Sequence, residues 1–199
     1  MERDTLEPSE NQLFETASQT AGPYLHIGLA PNSIGLPSAG KEPRNKSCPQ
    51  NQKTDSIQIV GTVWDGRKEP VKDAMLEAWQ PDLGEISADS GIIDGEFERW
   101  HRVVTDFRNG NWSFNTCYPR TFGNFAPSIS FWLVARGINI GLHTRMYFPE
   151  NTKANALDPV LNSVAVERRN TLIAHQVGRL GYRFDIVLQG DNETVFFDV

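Results

Sequence analysis

The sequence predicts an all-β protein, an antiparallel β-sandwich preceded by an N-terminal arm. Two patterns carry this prediction. Apolar residues alternate with polar ones over short segments from residue 56 onward, which is the pattern of half-buried strands. Turn signals separate these segments and helical spacing is scarce, as in β-sandwiches and barrels. The length of 199 residues is enough for about one domain and an arm.

The predicted arm spans residues 1–55, which are rich in Pro, Gly, Asn, Ser and charged side chains. Prolines recur between residues 31 and 49, so an extended loop is favoured over a helix. Residues 19–28 differ, because they carry apolar and aromatic side chains without helical spacing. Since Tyr24 and His26 are among them, we expect this segment of the arm to pack on another surface.

The sandwich is predicted over residues 56–199, and its strands can be placed in order. The predicted strands cover residues 57–63, 74–79, 112–114, 128–135, 142–148, 182–189 and 194–199. The run at 128–135 is almost continuously apolar, which predicts a strand buried on both faces. A hairpin turn is predicted at 178–181, where Gly-Arg-Leu-Gly separates two apolar segments. A short helix at about residues 155–164 is the main exception to the strand pattern.

The charge balance and the apolar runs argue against two classes of partner. Acidic residues outnumber basic ones by 25 to 19, and no basic cluster exceeds Arg168-Arg169, so nucleic-acid binding is not expected. No apolar run approaches the roughly 20 residues of a membrane span. The N-terminal Met-Glu-Arg-Asp has no apolar signal region, so a cytoplasmic protein without membrane contact is expected. Cys48 and Cys117 form no zinc or disulfide pattern and are expected to be free thiols.

The residues alone indicate no self-contained active site. No two of the four histidines have the spacing of a local metal motif. The chain has neither a glycine-rich phosphate loop nor a Gly-x-Ser-x-Gly motif. The five tryptophans are expected to fill the core or an interface, because large aromatic side chains dominate buried area.

Two segments of the chain resemble signatures of the intradiol ring-cleavage dioxygenases. They are residues 61–80 (Gly-Thr-Val-Trp-Asp-Gly-Arg-Lys-Glu-Pro-Val-Lys-Asp-Ala-Met-Leu-Glu-Ala-Trp-Gln) and residues 144–149 (Thr-Arg-Met-Tyr-Phe-Pro), in the order and spacing of that family. Residues 18–28, 135–145 and 189–198 narrow the resemblance to the alpha-type chains of members that cleave protocatechuate. The resemblance covers nearly the whole chain and implies a prealbumin-like β-sandwich of the intradiol dioxygenase type.

The resemblance implies a reaction that inserts O2 into a catechol between its two hydroxyl-bearing carbons. In the catalytic chains of the family, Fe(III) is held by two tyrosinates and two histidines. Here Ile86 occupies the region of one tyrosine, and Ser128 and Ser130 stand at the two histidine positions. Phe125 replaces an arginine that precedes the histidines, and Tyr118 matches the second tyrosine poorly. Because neutral hydroxyls are poor ferric ligands beside phenolate and imidazole, the resemblance implies an alpha-type chain that binds no metal.

The resemblance also implies which residues reach a shared active site. Thr20, Gly22, Pro23 and Tyr24 match the alpha segment that contacts the pocket, and Arg136 matches an arginine associated with substrate. The substrate carries a carboxylate, which a tyrosine hydroxyl and a guanidinium can bind through charge-assisted hydrogen bonds. Tyr24 could instead be a packing aromatic, and Arg136 could instead form an ion pair at an interface. No catalytic residue is predicted in this chain.

The sequence therefore predicts an alpha subunit without iron that works with an iron-bearing beta chain. Together they are expected to cleave protocatechuate with O2 to 3-carboxy-cis,cis-muconate in a larger alpha–beta oligomer, with Fe(III) in the beta chain. Residues 1–55 would form much of the interface, and His143 and Arg145 would line the degenerate pocket or the sandwich surface. A metal-free binding module of the same fold is the alternative, and the missing ligands argue against a chain that is active by itself.

Overall fold

The computed structural model describes residues 19–22, 24–37, 56–80 and 100–198. These residues form nine β-strands and three short α-helices. The strands are β1 (Ser56–Trp64), β2 (Met75–Trp79), β3 (Trp100–Val104), β4 (Asn111–Cys117), β5 (Ser128–Val134), β6 (Leu142–Tyr147), β7 (His175–Val177), β8 (Gly181–Arg183) and β9 (Ile186–Val187). The helices are α1 (Leu25–Leu29), α2 (Thr152–Leu157) and α3 (Pro159–Ser163), and 3₁₀ segments cover Pro31–Ile34 and Val166–Leu172. None of the helices in this part of the chain is long and apolar enough to cross a membrane.

Two sheets pack on a common core, which confirms the predicted β-sandwich. In the first sheet the strand order is β4-β1-β8-β7, and β9 also pairs with β1. In the second sheet the order is β3-β2-β5-β6, with every neighbouring pair antiparallel. The antiparallel prediction needs one correction, because β1 runs parallel to β8 and β9. The predicted hairpin is present between β7 and β8.

Strand β5 alternates between the core and the outer face of the second sheet, so the prediction of burial on both faces is wrong. Ile129, Phe131 and Leu133 are almost fully buried between the sheets. Trp132 and Val134, on the opposite face, are only half-buried. The prediction failed because the outer face of β5 also carries apolar residues. The alternation of apolar and polar residues that marks a strand with one buried face is therefore missing.

The C-terminal strands are shorter than the sequence predicts. The strand predicted at 182–189 is divided into β8 and β9, and Asp185 lies between them. Its carboxylate accepts a hydrogen bond from the Thr62 backbone N–H of β1 at 2.9 Å. A side-chain oxygen therefore takes the place of the backbone carbonyl that would accept this bond in a continuous strand pair. Among its described residues, the strand predicted at 194–199 is reduced to an isolated bridge between Phe197 and His143.

The described part of the arm contains a helix, which the sequence does not predict. Residues Leu25–Leu29 form α1 although their apolar side chains lack helical spacing. Pro31 begins the following 3₁₀ segment, and proline is tolerated in a first turn because its missing N–H would be unpaired there. Gly35, with φ of +76°, ends the segment in the left-handed conformation.

Cys117, the last residue of β4, is disulfide-bonded, which corrects the expectation of a free thiol. Cys48 lies outside the described residues. The sequence could not predict this bond, because cysteine spacing along a chain does not fix the Cα–Cα distance and geometry that a disulfide requires.

The buried carboxylate of Asp158 joins three parts of the fold. It accepts hydrogen bonds from the backbone N–H groups of Val160 and Leu161 at 2.9 and 2.8 Å, which caps helix α3. It also accepts from the Ala126 N–H before β5 at 2.8 Å and from the Tyr147 hydroxyl of β6 at 2.9 Å. The single helix predicted in this region is therefore two helices, because Asp158 leaves the helical conformation to act as the cap.

His101 of β3 is fully buried between the sheets. Its ring stacks on Phe114 with the ring centroids 4.8 Å apart. Its Nε2 lies 3.2 Å from the hydroxyl oxygen of Thr116, and that hydroxyl donates to the Gln80 side-chain oxygen at 3.0 Å. Burial lowers the pKa of His101 from its ordinary value of 6.5 to about 4, so the imidazole is neutral in the folded protein at neutral pH.

Replacing Asp158 with alanine should lower the free energy of unfolding by roughly 3–5 kcal/mol, because four donors lose their acceptor. Asp158→Asn should lose less, since the amide oxygen remains an acceptor. Urea unfolding followed by tryptophan fluorescence measures both losses, with Asp191→Ala at an exposed turn as the matched control. A loss below about 1 kcal/mol for Asp158→Ala would show that the four bonds do not hold these elements together.

Stability should rise with pH between about 4 and 6.5 because of His101. In this window the unfolded imidazole binds a proton and the folded one does not. The pKa difference, 6.5 minus about 4, corresponds to about 3 kcal/mol that is fully present above pH 6.5 and is lost as the pH falls to about 4. Urea unfolding at several pH values across the window measures this slope. His101→Gln keeps a donor for Thr116 and should flatten the slope. If the slope is unchanged in this variant, titration of groups other than His101 causes it.

Candidate functional site

The arm meets the sandwich at the turn that follows β5. The Thr20 hydroxyl accepts a hydrogen bond from the Gly137 backbone N–H at 2.7 Å and donates to the Ala135 carbonyl oxygen at 3.3 Å. These two bonds lie on either side of Arg136 in the chain. Gly137 has φ of +89°, a conformation that favours glycine, so the turn depends on this residue. The arm therefore fixes the backbone from which the Arg136 side chain extends.

A second contact holds the C-terminal end of α1. The Leu29 carbonyl oxygen accepts a hydrogen bond from Nη1 of Arg102 at 2.9 Å, which satisfies one of the free carbonyl groups of the helix end. Arg102 lies in β3 and forms an ion pair with Glu77 of β2 at 2.7 Å. Its guanidinium also lies 4.8 Å from the ring centre of Trp100. Because Arg102 is held by a carboxylate and an aromatic ring, it gives the helix a rigid support.

A cavity of about 150 Å³ lies between the arm and the sandwich. It is lined by Ala21, Gly22, His26, Ile34, Asp73, Phe107 and Arg136. Within this lining, Nη2 of Arg136 forms an ion pair with Oδ2 of Asp73 at 2.8 Å. The Arg136 side chain is 66% exposed, so it remains accessible to a ligand or a partner.

His26 is the buried polar side chain of this cavity, with 5% of its surface exposed. Its ring meets that of Phe107 edge-on, with the ring centroids 5.1 Å apart. Burial lowers the pKa of His26, the Asp73 carboxylate opposes this effect, and the Arg136 guanidinium adds to it. The site therefore favours a neutral imidazole beside the Asp73–Arg136 ion pair.

The structure brings together three of the five residues that the resemblance assigns to substrate. Thr20 and Gly22 from the arm lie against the turn that carries Arg136. Tyr24 lies directly before α1 with 79% of its surface exposed, and no described hydrogen bond joins its hydroxyl to Arg136. Pro23 lies outside the described residues. Arg136 does form an ion pair, as the alternative interpretation proposed, but within its own chain.

Asp73 was missed by the sequence analysis, and His26 received no role in the site. Both side chains line the same cavity as Arg136. An aspartate in a polar loop before a strand carries no signal of its own, so only the tertiary contact identifies Asp73. For His26 the available signal was its place in an aromatic segment of an otherwise polar arm.

The positions of the implied histidine ligands do not suit iron in this chain. Ser128 and Ser130 lie on one face of β5. Ser130 pairs across the sheet with Arg145 of β6. Two neutral hydroxyls are poor ferric ligands. No group of three or more His, Cys, Asp and Glu side chains in the described ranges could hold a metal ion; Ile86 lies outside those ranges.

Tyr118 has a structural environment that disfavours its phenolate form. Its hydroxyl donates to Oε1 of Glu150 at 2.7 Å and accepts from the Asn151 amide nitrogen at 2.7 Å. Its ring packs on Phe148 with the ring centroids 4.5 Å apart. Burial and the Glu150 carboxylate raise the pKa of Tyr118 well above its ordinary value. A tyrosinate ligand at this residue would have to overcome both effects.

A second, more open cavity of about 420 Å³ lies on the outer face of the second sheet. It is lined by Leu29, Glu77, Trp79, Ser130, Phe131, Trp132 and His143. His143 lines this cavity together with Ser130. Arg145 lies directly across from Ser130 on β6. Ser130, one of the two implied histidine positions, therefore lies on this face, six residues before Arg136 in the chain.

Comparison with known proteins gives relatives over nearly the whole chain. The protocatechuate 3,4-dioxygenase alpha chain of Pseudomonas putida is 43% identical over 195 residues, covering 94% of this chain and 97% of that one. The alpha chain of Burkholderia cepacia is 38% identical over 195 residues, covering 94% and 98%. The protocatechuate 3,4-dioxygenase beta chain of Burkholderia cepacia is 29% identical over 159 residues, covering 70% and 67%. No family model matches the chain.

A solved structure agrees with the fold. The dioxygenase domain of a dioxygenase and carbohydrate-binding protein fusion from Streptomyces sp. SirexAA-E matches with a TM-score of 0.53, covering 89% of this chain and 97% of that one. At 20% identity this likeness concerns the fold alone. The two alpha-chain relatives decide the family, because their identity extends over 94% of the sequence. The chain belongs to the protocatechuate 3,4-dioxygenase alpha chain family.

Proposed function

We propose that the chain is the alpha subunit of a protocatechuate 3,4-dioxygenase and completes the active site at its interface with an iron-bearing beta chain. The observation that carries this proposal is the identity with two alpha chains over almost their entire length. The similarity to a beta chain supports a partner of related fold. The assembled enzyme would cleave protocatechuate with O2 to 3-carboxy-cis,cis-muconate.

The iron of this enzyme belongs in the beta chain. The residues at the ligand positions of this chain, Ser128 and Ser130, do not fit Fe(III), because neutral hydroxyls are poor ferric ligands. In the partner, the ferric ion would bind the catecholate and make it reactive toward oxygen. This chain would supply binding groups to that site and no metal ligand.

The geometry of β5 supports a site shared between two chains. Ser128 and Val134 are the first and last residues of the strand, and Arg136 lies two residues beyond its end. Six residues of extended strand span about 20 Å. Arg136 and the two implied ligand positions therefore lie toward opposite ends of β5. This separation supports an active site in which Arg136 serves the metal of another subunit.

Arg136 is the group we assign to the substrate carboxylate. A guanidinium has five N–H donors, and the ion pair with Asp73 engages one of its nitrogens. Protocatechuate carries a carboxylate and approaches as an anion, so the exposed donors can bind it through charge-assisted hydrogen bonds. The Thr20 hydroxyl holds this turn by hydrogen bonding, and Gly22 lines the cavity beside it. Tyr24, two residues after Gly22, is exposed and carries a hydroxyl that can act as a neutral donor.

The surface of the chain supports a large interface with the beta chain. We divide the chain into an arm, residues 1–55, and a sandwich, residues 56–199, and assign the arm to this interface. In its described part the arm exposes Tyr24 and Ile27, which are 79% and 45% exposed. Trp79, on the outer face of the second sheet, is 50% exposed. Obligate interfaces bury apolar groups of this kind, and we expect alpha–beta units to assemble further into an oligomer.

Co-expression of this chain with a beta chain, followed by measurement of oxygen uptake with protocatechuate, tests the proposed function. We expect oxygen uptake when both chains are present, with iron co-purifying with the assembly. A metal-free binding module would show no oxygen uptake in any combination. A beta chain that is fully active without this chain would overturn the assignment of a shared site.

Purified alone, this chain should bind far less than stoichiometric iron when incubated with Fe(III), because serines stand where imidazoles are needed. Metal analysis after gel filtration measures the iron, and visible spectroscopy detects tyrosinate-to-iron absorption. The co-purified alpha–beta assembly is the positive control. Stoichiometric iron with tyrosinate absorption in the isolated chain would contradict the assignment of iron to the partner.

Arg136→Ala in the assembled enzyme should raise KM for protocatechuate and leave kcat nearly unchanged. Loss of a charged partner of a bound anion costs about 2–5 kcal/mol when the pair is desolvated. Because the Arg136 side chain is 66% exposed, solvent reduces this loss, and we expect an increase in KM of roughly tenfold. Steady-state oxygen uptake with protocatechuate measures it.

Plain catechol, which lacks the carboxylate, is the control substrate, and its KM should change much less in Arg136→Ala. Arg108→Ala, at an exposed loop, is the matched control variant. Tyr24→Phe should act in the same direction as Arg136→Ala but more weakly, since a neutral hydroxyl contributes less than a guanidinium. If assembled Arg136→Ala enzyme loses catechol and protocatechuate affinity equally, the carboxylate-binding role is wrong.

A further inference from the structure

Arg136 lies in a tight turn whose base is buried and whose tip is exposed. The turn begins at Ala135, which is fully buried, and is closed by a hydrogen bond from the Ile138 N–H to the Ala135 carbonyl oxygen at 3.2 Å. Arg136 and Gly137 are its two central residues, and both are exposed. The positive φ of Gly137, +89°, at the second central position is typical of a type II turn.

The peptide between Arg136 and Gly137 is the part of this turn that can reorient. Type I and type II turns differ mainly in the orientation of their central peptide, and the N–H of that peptide here belongs to Gly137. This N–H donates to Oγ1 of Thr20 at 2.7 Å, although the two residues are 117 positions apart in the chain. The bond therefore holds the central peptide in one orientation, and with it the backbone from which the Arg136 side chain extends.

The Thr20 hydroxyl has no donor left for a substrate carboxylate. A threonine hydroxyl carries one O–H donor and two acceptor lone pairs. Two backbone carbonyl oxygens, those of Ala135 and Ala21, each lie 3.3 Å from it and accept this donor, and one lone pair accepts from Gly137. What remains is a lone pair, which repels a carboxylate oxygen. Direct contact between this hydroxyl and the carboxylate is therefore disfavoured.

We propose that Thr20 is a positioning residue for Arg136: its hydroxyl holds the turn, and the guanidinium of Arg136 contacts the substrate carboxylate. The inference rests on the proposed function, in which Arg136 binds the carboxylate of protocatechuate. Among the described residues the ion pair of Arg136 is with Asp73, and at 66% exposure such a pair is a weak restraint. The attachment of the arm to the turn thus sets the affinity for substrates that carry a carboxylate.

Steady-state kinetics of the assembled alpha–beta enzyme with protocatechuate and with catechol test this proposal. Thr20→Val keeps the shape of the side chain and removes its hydrogen bonds. We expect KM for protocatechuate to rise roughly three- to tenfold, the effect of losing one or two hydrogen bonds, with kcat and the kinetics with catechol unchanged. Thr20→Ser keeps the hydroxyl and should restore most of the affinity. Thr152→Val, at an exposed position of α2, is the matched control.

A double-mutant cycle separates positioning from direct contact with the substrate. In the Arg136→Ala enzyme, Thr20→Val should cause no further change in KM for protocatechuate, because the group that Thr20 positions is gone. If Thr20 itself bound the substrate, the substitution would weaken protocatechuate binding in both backgrounds, and such additive effects would overturn the proposal. Equal effects of Thr20→Val on catechol and protocatechuate would also overturn it and would assign Thr20 a purely structural role.

Gly137→Ala perturbs the same turn and leaves the arm unchanged. A Cβ added at Gly137 meets no atom of the described chain within 4 Å, but the φ of +89° is strained for alanine. We expect the same selective rise in KM for protocatechuate, and unchanged kinetics would overturn the proposal. Gly178→Ala, at φ of +71° and with equally open surroundings in the turn between β7 and β8, is the matched control.

Assembly of every variant is checked by gel filtration before kinetics. If Thr20→Val does not assemble, the comparison of Gly137→Ala with Gly178→Ala replaces it, because Gly137→Ala keeps the Thr20 side chain. If the parental assembly consumes no oxygen, the proposed function fails. If Arg136→Ala selectively weakens protocatechuate binding and neither Thr20→Val nor Gly137→Ala does, the inference about Thr20 fails alone.

Discussion

The candidate site depends on the attachment of the arm to the turn after β5. The Thr20 hydroxyl bonds the backbone on both sides of Arg136, and the carbonyl of Leu29 is held by Arg102. The helix between these contacts buries His26 and has no core of its own. A typical hydrogen bond contributes about 1 kcal/mol net, so the attachment consists of a few modest contacts. The orientation of Arg136 is therefore sensitive to any further group, from this chain or another, that fixes the arm.

The turn can serve as an anchor because β5 is itself fixed at both ends. At its start, the Ala126 N–H is held by the buried carboxylate of Asp158, which also binds β6 through Tyr147. Along its length, β5 is paired on both sides, with β2 and with β6. At its end, Gly137 adopts the left-handed conformation that turns the chain toward the arm. A rigid strand with a glycine turn thus holds Arg136 at one end of the sandwich.

The periodic strands could be predicted from the sequence, because one face of each is buried and the alternation is visible. This holds for β1, β2, β4 and β6. Strand β5 was placed correctly, but its outer face was not recognised, since Trp132 is apolar and only half-buried. The helix break at Asp158 and the strand break at Asp185 depend on side chains that replace backbone acceptors in distant elements. Such bonds leave no local pattern in the sequence.

The site could be predicted only in part from the sequence, because its contacts also join residues that lie far apart in the chain. Arg136 and Thr20 were assigned through their resemblance to family segments, whereas the contact between them is a property of the fold. Asp73 and His26 lie on different segments from Arg136 and from each other, and no spacing rule connects the three. The resemblance identified the family of the chain. Only the folded chain shows that the arginine assigned to substrate is already paired with an aspartate and lies beside a buried histidine.

The implied histidine positions and the turn that carries Arg136 lie toward opposite ends of β5. Ser130 faces Arg145 across the sheet and lies in a cavity with Trp79 and Trp132. Neutral hydroxyls are poor ligands for Fe(III), so the side chains of Ser128 and Ser130 do not recreate the implied metal site. The side chain of Arg136, by contrast, extends from the other end of β5 and is 66% exposed, so under the proposed function it is available to a site completed by another subunit.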